Sequence, residues 1–299
     1  MLTIDPKEIS VPQLHAYMLA SIAPRPIAFA STVDKNGNPN LSPFSFFNAF
    51  GSNPPTLIFS PARRVRDNTT KHTLENVLEV PEVVINTVNY DMVQQTSLAS
   101  VEFPKEINEF VKSGFTPLPS EKVKPFRVKE SPVQFECRVV EVKSMGDQGG
   151  AANLIICEIL LMHISELVLN EQSRIDQHKI DLVARLGSDY YVRASGTALF
   201  EVQKPNLRPA IGIDQLPSQI RLSKVLTGNN LGQLGNAEHL PSREELAVVN
   251  VSEALNELLE RFKNDDESLE YHRQLLAKEL LDEGNVMAAW KVLLAKLGD

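Results

Sequence analysis

Cysteine is nearly absent. Cys137 and Cys157 are the only two in 299 residues, and each sits inside an alternating apolar segment. That excludes a disulfide framework and reads both thiols as small core hydrophobes. Positive charge is also short: 30 Lys and Arg against 38 Asp and Glu give a formal net charge of −8, with no basic stripe. A nucleic-acid partner or an anionic membrane surface is therefore not expected. No apolar run reaches the length that spans a bilayer. The opening Met1-Leu2-Thr3-Ile4-Asp5-Pro6 lacks the charged-then-apolar order of a signal peptide, so the expected location is the cytoplasm. No His-Glu-x-x-His or Cys-x-x-Cys occurs and no two of the six histidines stand at metal spacing, so a metal centre is not expected. There is no Gly-x-Ser-x-Gly elbow to anchor acyl transfer, and no Gly-x-Gly-x-x-Gly or P-loop spacing to open a nucleotide-binding βαβ unit.

What is present is a series of short, β-branched segments: Ile27 to Thr32, Thr56 to Ser60, Val83 to Val88, Val133 to Val142, Asn153 to Ile164 and Tyr190 to Phe200. Gly, Pro, Asn and Asp clusters separate them, which predicts a mainly β fold, an antiparallel barrel or sandwich. Asn68 to Val80 carries helical spacing, and Tyr90 to Ser100 with Glu106 to Lys112 reads as a helix pair closing against the sheet. Gly146-Asp147-Gln148-Gly149-Gly150 reads as a hairpin turn.

Past Phe200 the character changes. Residues 204–241 are rich in Pro, Gly, Asn and Gln and read as a loop or arm. Ser242-Arg243-Glu244-Glu245 is a capping box that opens a helical C-terminal extension over 242–299, with helices near 242–262, 268–281 and 285–297. The expected domains are thus 1–203, 204–241 and 242–299.

One stretch is richer than the rest. Pro24-Arg25-Pro26-Ile27-Ala28-Phe29-Ala30-Ser31-Thr32 runs through the turn Asn36-Gly37-Asn38 into Ser42-Pro43-Phe44-Ser45-Phe46-Phe47-Asn48. It ends in hydroxyl, aromatic and amide groups packed within four positions, a set that suits a flat, polar-edged ligand. With Asn53-Pro54-Pro55, Lys71-His72-Thr73-Leu74-Glu75-Asn76 and Arg185-Leu186-Gly187, it resembles the flavin reductase-like, FMN-binding split-barrel family over about two thirds of the chain. Where that family usually has Lys-Asp-Thr, this chain has Lys71-His72-Thr73.

The resemblance implies an antiparallel split β-barrel and FMN as cofactor, with NADH or NADPH as electron donor and a homodimer. Ser31, Thr32, Ser45 and Asn48 would meet the ribityl chain and ring edge, with Ser60 a further candidate. Phe46 and Phe47 would wall the ring, although adjacent strand residues point to opposite faces and only one can easily do so. Lys71 and Thr73, at the start of a predicted helix, suit a phosphate, with Arg63 and Arg64 behind them. Read as residues alone they are more simply a solvated helix start, since short charged runs are usually surface. Arg185 belongs to the late segment that reaches flavin or nicotinamide, or else is structural. No catalytic side chain is expected, since the flavin carries hydride chemistry. The expectation is an NAD(P)H-dependent flavin reductase. The alternatives are an FMN electron carrier that does not itself turn over NAD(P)H, and an interaction protein whose flavin site has decayed.

Overall fold

The computed structural model describes residues 1–202, 204, 209–249 and 252–295. The chain divides into two compact units, Met1–Phe200 and Glu201–Asp299. The first opens with helix α1 (Val11–Ser21) and continues with strands β1 (Ala28–Val33), β2 (Pro39–Phe44), β3 (Phe47–Ser52) and β4 (Pro55–Phe59). Then come α2 (His72–Glu79), β5 (Glu82–Asn86), α3 (Val93–Leu98), α4 (Glu109–Ser113), the short β6 (Pro117–Leu118) and β7 (Arg127–Val128), and the long β8 (Val133–Ser144) and β9 (Asn153–Ile164). A short α5 (Gln177–Ile180) and the ribbon of β10 (Val183–Arg185) and β11 (Tyr191–Arg193) complete it.

Strands β1–β5, β8 and β9 form one antiparallel seven-stranded sheet in the order β2-β1-β5-β8-β9-β4-β3. Its two edges are β2 and β3, yet only Ser45 and Phe46 join them. Three Cα steps span at most ~11 Å, whereas the edges of a flat seven-stranded sheet lie about 29 Å apart at ordinary strand spacing. The sheet must therefore roll until its edges nearly meet, which is the split barrel. This geometry makes the β2–β3 corner the place where the split closes.

Alternation along the strands sorts the two faces. Ala28 and Ala30 face an interior built from Phe59, Ile85, Cys137, Ile155 and Cys157, plugged by Leu74 and Val77 of α2. Ile27, Phe29 and Leu41 face the other way, under Met92, Phe110 and Phe115. Both cysteines are free and fully buried, and burial pushes their thiols up, Cys157 to about 12. They are core hydrophobes, as their surroundings in the sequence indicated.

Several local expectations change. The helix foreseen from Asn68 starts only at His72, because Asn68 takes a left-handed φ of 57° and the chain between is spent on a turn. The strand foreseen from Tyr190 to Phe200 is only β11, and Gly196–Ala198 is a 3-10 turn. Helix α1 was not foreseen; it buries none of its residues, so no apolar periodicity announces it.

The second unit is helical: α6 (Ser218–Arg221), α7 (Gly228–Gly235), α8 (Arg243–Ala247), α9 (Ser252–Arg261), α10 (Asp266–Asp282) and α11 (Val286–Leu294). Its core joins Leu216, Ile220, Leu226 and Leu234 to Leu281, Trp290 and Leu293. The stretch 204–241 is thus no bare arm where it is described. It contributes core leucines and a Thr227–Asn230 capping box. The Ser242–Glu245 capping box is present, but its helix is α8 alone rather than one reaching 262. The end foreseen at 297 lies outside the described residues.

Candidate functional site

Helix α2 begins without a side-chain cap on its first turn, leaving N–H groups that favour negative charge. Around that end Lys71, His72 and Thr73 meet Asn40 and Ser42 of β2, Arg64 of the β4–α2 loop, Glu102 of the α3–α4 loop and Glu109 of α4. Asn40 and Ser42 share a face of β2, two residues apart. Thr73 Oγ1 donates to Asn40 Oδ1 at 2.8 Å, and Asn40 Nδ2 donates to Glu109 Oε1 at 2.9 Å. Leu41 N–H, on an edge strand, donates to Glu109 Oε2 at 3.2 Å, which blunts the edge there.

The Arg64 loop is held from behind by the β8–β9 hairpin. Gly150 N–H donates to Arg63 O, and a side chain on Gly149 would come within 2.9 Å of Val65 O. The glycines of that turn therefore serve close packing. Arg64 then reaches the pocket: Nε donates to Glu102 Oε1 at 2.8 Å and Nη1 to Thr69 Oγ1 at 2.8 Å and to Thr70 O. Lys71 Nζ is 3.1 Å from Glu102 Oε1, and Arg66 pairs with Glu102 Oε2. The Arg64 hydrogen bond foremost, reinforced by Lys71 against the cost of burial, holds the Glu102 carboxyl down at about 2. Burial first, with Arg64, Lys105 and Lys71 adding against Glu75, pulls His72 below its ordinary range. Arg63 is not with them: its guanidinium is spent on Asn68, at 2.7 Å to Oδ1 and 2.6 Å to the carbonyl.

The second group of expected residues lies at the β2–β3 corner, three residues beyond Ser42. Ser60 N–H donates to Phe46 O at 2.9 Å. Arg25, 5% exposed, donates from Nε to Ser45 Oγ at 3.4 Å, from Nη1 to Leu19 O and to Ile22 O at 2.8 Å, and from Nη2 to Leu186 O at 2.7 Å. It closes the carbonyl end of α1 and ties it to the corner. The Arg185 backbone pairs with that of Arg25 through two 2.9 Å hydrogen bonds. Its guanidinium donates to Ser188 O at 2.8 Å and lies 4.6 Å from the centre of the Tyr191 ring. Phe47 packs against the barrel core. Phe46 stays outside that core, edge-on to His15 at 6.1 Å. Asn48 is exposed, its Oδ1 accepting from Ala49 N–H at 2.8 Å. Thr32 Oγ1 accepts from Asn76 Nδ2 at 3.1 Å in the barrel interior, while the adjacent Ser31 faces the other side of the sheet.

Two of these hydroxyls, Ser31 Oγ and Ser60 Oγ, are buried with no hydrogen-bond partner. Leaving a buried hydroxyl unpaired costs about 1–3 kcal/mol, and Ser60 lies beside the corner where an edge of a ligand would satisfy it. With cations at one end and, at the other, an orphan hydroxyl and a phenylalanine outside the barrel core, the residues fit a flat heteroaromatic ring bearing a phosphate. Sequence reasoning missed Asn40, Ser42, Glu102 and Glu109. The alternation Asn40, Ser42, Phe44 was a legible signal for the first two. Among the described residues no helix is long and apolar enough to cross a membrane, and no group of three or more His, Cys, Asp or Glu is placed to hold a metal.

Glu109 gives a pH test of the pocket. Burial pushes its carboxyl above the usual range, against the hydrogen bonds from Leu41 and Asn40. A raised folded pKa means its contribution is complete below the ordinary glutamate value, about 4.3, and is lost as pH rises through the raised value. Glutamine does not titrate, so whatever offset its missing oxygen introduces, the stability gap must move in favour of Glu109→Gln from pH 4 to pH 7. Urea unfolding at both pH values checks it; a gap moving the other way would mean the ionised carboxylate is the favoured form.

Residues 20–177 match the flavin reductase like domain family. An uncharacterized protein of Aquifex aeolicus is 38% identical over 196 residues, 66% of this chain and 97% of that protein. Among solved structures, nitrilotriacetate monooxygenase component B from Bacillus cereus superposes with a TM-score of 0.63 at 27% identity, covering 68% of this chain and 98% of that one. A split barrel domain protein from Shewanella frigidimarina NCIMB 400 gives 0.57 at 24% identity, over 68% of this chain and all (100%) of that one, and supports the fold alone. The rolled sheet, the corner motif and these matches agree: the chain belongs to the flavin reductase like domain family, a family of flavin-related oxidoreductases.

Proposed function

We propose that the first unit binds FMN and that the protein is an NAD(P)H-dependent flavin oxidoreductase. The observation that carries this reading is the convergence of Arg64 and Lys71 at the open end of α2, within one stretch of β2 from a corner holding the orphan hydroxyl of Ser60. Arg64 and Lys71 would take the phosphate, with Thr73 fixed behind them by Asn40. Ser45 and Ser60 would take polar atoms of the ribityl chain or ring edge, and Phe46 would cover a ring face. Arg25 holds Ser45 in place by its hydrogen bond. Bound there, FMN would accept a hydride from NADH or NADPH and pass electrons onward. The likeness to nitrilotriacetate monooxygenase component B supports this class of activity.

The same reading includes a homodimer. Helix α1 buries none of its residues, and Leu160, Met162 and Ile164 form an outward row on β9 that is 41%, 45% and 36% exposed. Such a row resembles an interface core left open. Sedimentation at micromolar concentration is expected to give about twice the mass of the chain.

The decisive experiment is an absorption spectrum after FMN is added and the excess removed, followed by NADH or NADPH without oxygen. A retained band that bleaches is the expected result. A retained band that stays oxidised would favour a carrier fed by a protein partner. The absence of both retained flavin and turnover with free FMN would overturn the reading.

A further inference from the structure

Three cations converge on one carboxylate at the pocket where the proposed function places a phosphate. Glu102 Oε1 takes both Arg64 Nε and Lys71 Nζ, and Oε2 takes Arg66. The donors that would face a phosphate, Arg64 Nε and Lys71 Nζ, are thus both already spent on Glu102. A phosphate that reached Arg64 and Lys71 would have to move something aside.

The surroundings say what can move. Thr73, Asn40 and Glu109 are buried and bonded to one another. Arg64 is fastened to Thr69 and Thr70 of its own loop. Glu102 stands on the α3–α4 loop between exposed Val101 and half-buried Phe103, its side chain 31% exposed, and among the described residues its carboxylate has no partner beyond the three cations. It is also ionised throughout the neutral range. We infer that Glu102 is a built-in anion that fills the phosphate position of the unliganded protein and is displaced by the ligand. It thereby sets which ligands the site accepts.

The chemistry makes this a filter on ligand charge. A carboxylate brings one negative charge, whereas a phosphomonoester near neutral pH brings close to two and three acceptor oxygens. Only a ligand of the second kind gains enough from Arg64 and Lys71 to offset the bonds that Glu102 gives up. A flavin without a phosphate has nothing to exchange for Glu102 and leaves it in place. Displacement also frees the α3–α4 loop, so phosphate binding is expected to raise protease sensitivity at 99–105.

This inference rests on the proposed flavin reading, and the test separates the two. FMN and riboflavin dissociation constants are measured by flavin fluorescence on the full chain, for the natural protein, Glu102→Gln and Glu102→Asp. Partly exposed ion pairs are individually weak, so removing the competing charge is expected to tighten FMN about five- to tenfold in Glu102→Gln. Glu102→Asp keeps the charge but shortens the reach, and is expected to tighten FMN by a smaller factor. Riboflavin should move less than about twofold in both. If FMN instead weakens or stays unchanged in the two variants, Glu102 organises the cations rather than competing, and the inference is overturned while the flavin reading stands. If the natural protein binds FMN no better than riboflavin, the phosphate assignment itself falls, and the inference with it.

Discussion

Replacing Arg64 and Lys71 together by alanine is expected to weaken FMN binding about a hundredfold while riboflavin moves less than about twofold. Each residue would give a phosphate oxygen a charge-assisted hydrogen bond worth roughly 1.5–3 kcal/mol; two of these, less the pairs with Glu102 that the ligand displaces, leave about 2.7 kcal/mol, a hundredfold in Kd. The fold should survive, because the pairs with Glu102 stand on a partly exposed carboxylate, where such pairs contribute about 1 kcal/mol or less, although Arg64→Ala also gives up the bonds to Thr69 and Thr70 of its own loop. Loss of FMN affinity with riboflavin affinity kept would therefore report on the ligand. Arg64→Lys separates charge from shape: lysine keeps the charge but loses the fork that spans Glu102 and Thr69. Equal loss of FMN and riboflavin in the double variant would place the cations away from any phosphate.

The β class was legible because its cause is local: the strands alternate, and the turn at Gly37 has a φ of 85° that glycine adopts without strain. Alternation left barrel and sandwich open and the resemblance chose the split barrel, while the edge strands β2 and β3 and the short Ser45-Phe46 link that rolls the sheet come from the structure. Lys71 and Thr73, on either side of His72 at the start of α2, were singled out by the resemblance, since by themselves they read as a solvated helix start. What was not legible is made by tertiary contact. Arg63 and Arg64 are neighbours of one type, and only the folded loop shows that one goes to Asn68 and the other to Glu102. Glu102 and Glu109 sit on segments that carry no motif, and their roles appear only when α3 and α4 cover the β2 edge. Helix α1 carries no apolar stripe because it has no buried face within its own unit. Its anchor is instead the buried guanidinium of Arg25, whose place in Pro24-Arg25-Pro26 gives no hint of a helix ending four residues upstream. In the second unit, the Pro and Gly content of 204–241 pointed to a loop, while the spacing of Leu216, Ile220, Leu226 and Leu234 was too irregular to reveal a core.

Trp290→Ala is expected to destabilise the second unit by about 3–5 kcal/mol, the range for truncating a buried tryptophan. Trp290 is fully buried on α11, in a core with Leu216, Ile220, Leu234, Leu281 and Leu293. A unit of this size has only about 5–15 kcal/mol to lose, so the helical unit should unfold at far lower urea while the barrel keeps its own transition. Trp290→Phe provides the contrast. The indole Nε1 is buried with no hydrogen-bond partner, a cost of about 1–3 kcal/mol that phenylalanine removes. That gain offsets much of the lost volume, and the variant should stay within about 1.5 kcal/mol of the natural protein. Arg273 sets the outer limit of the same core: it donates to Val292 O at 3.0 Å and to Leu293 O at 2.5 Å, closing the end of α11 that holds the tryptophan in place. Because Trp290 is the single tryptophan, its emission in the natural protein reports on this unit alone, and circular dichroism follows both units in the variants. Loss of one transition in Trp290→Ala, with flavin binding retained, would show that the second unit is folded by its own core and dispensable for the cofactor. Loss of flavin in step with the helices would show instead that the barrel site depends on them.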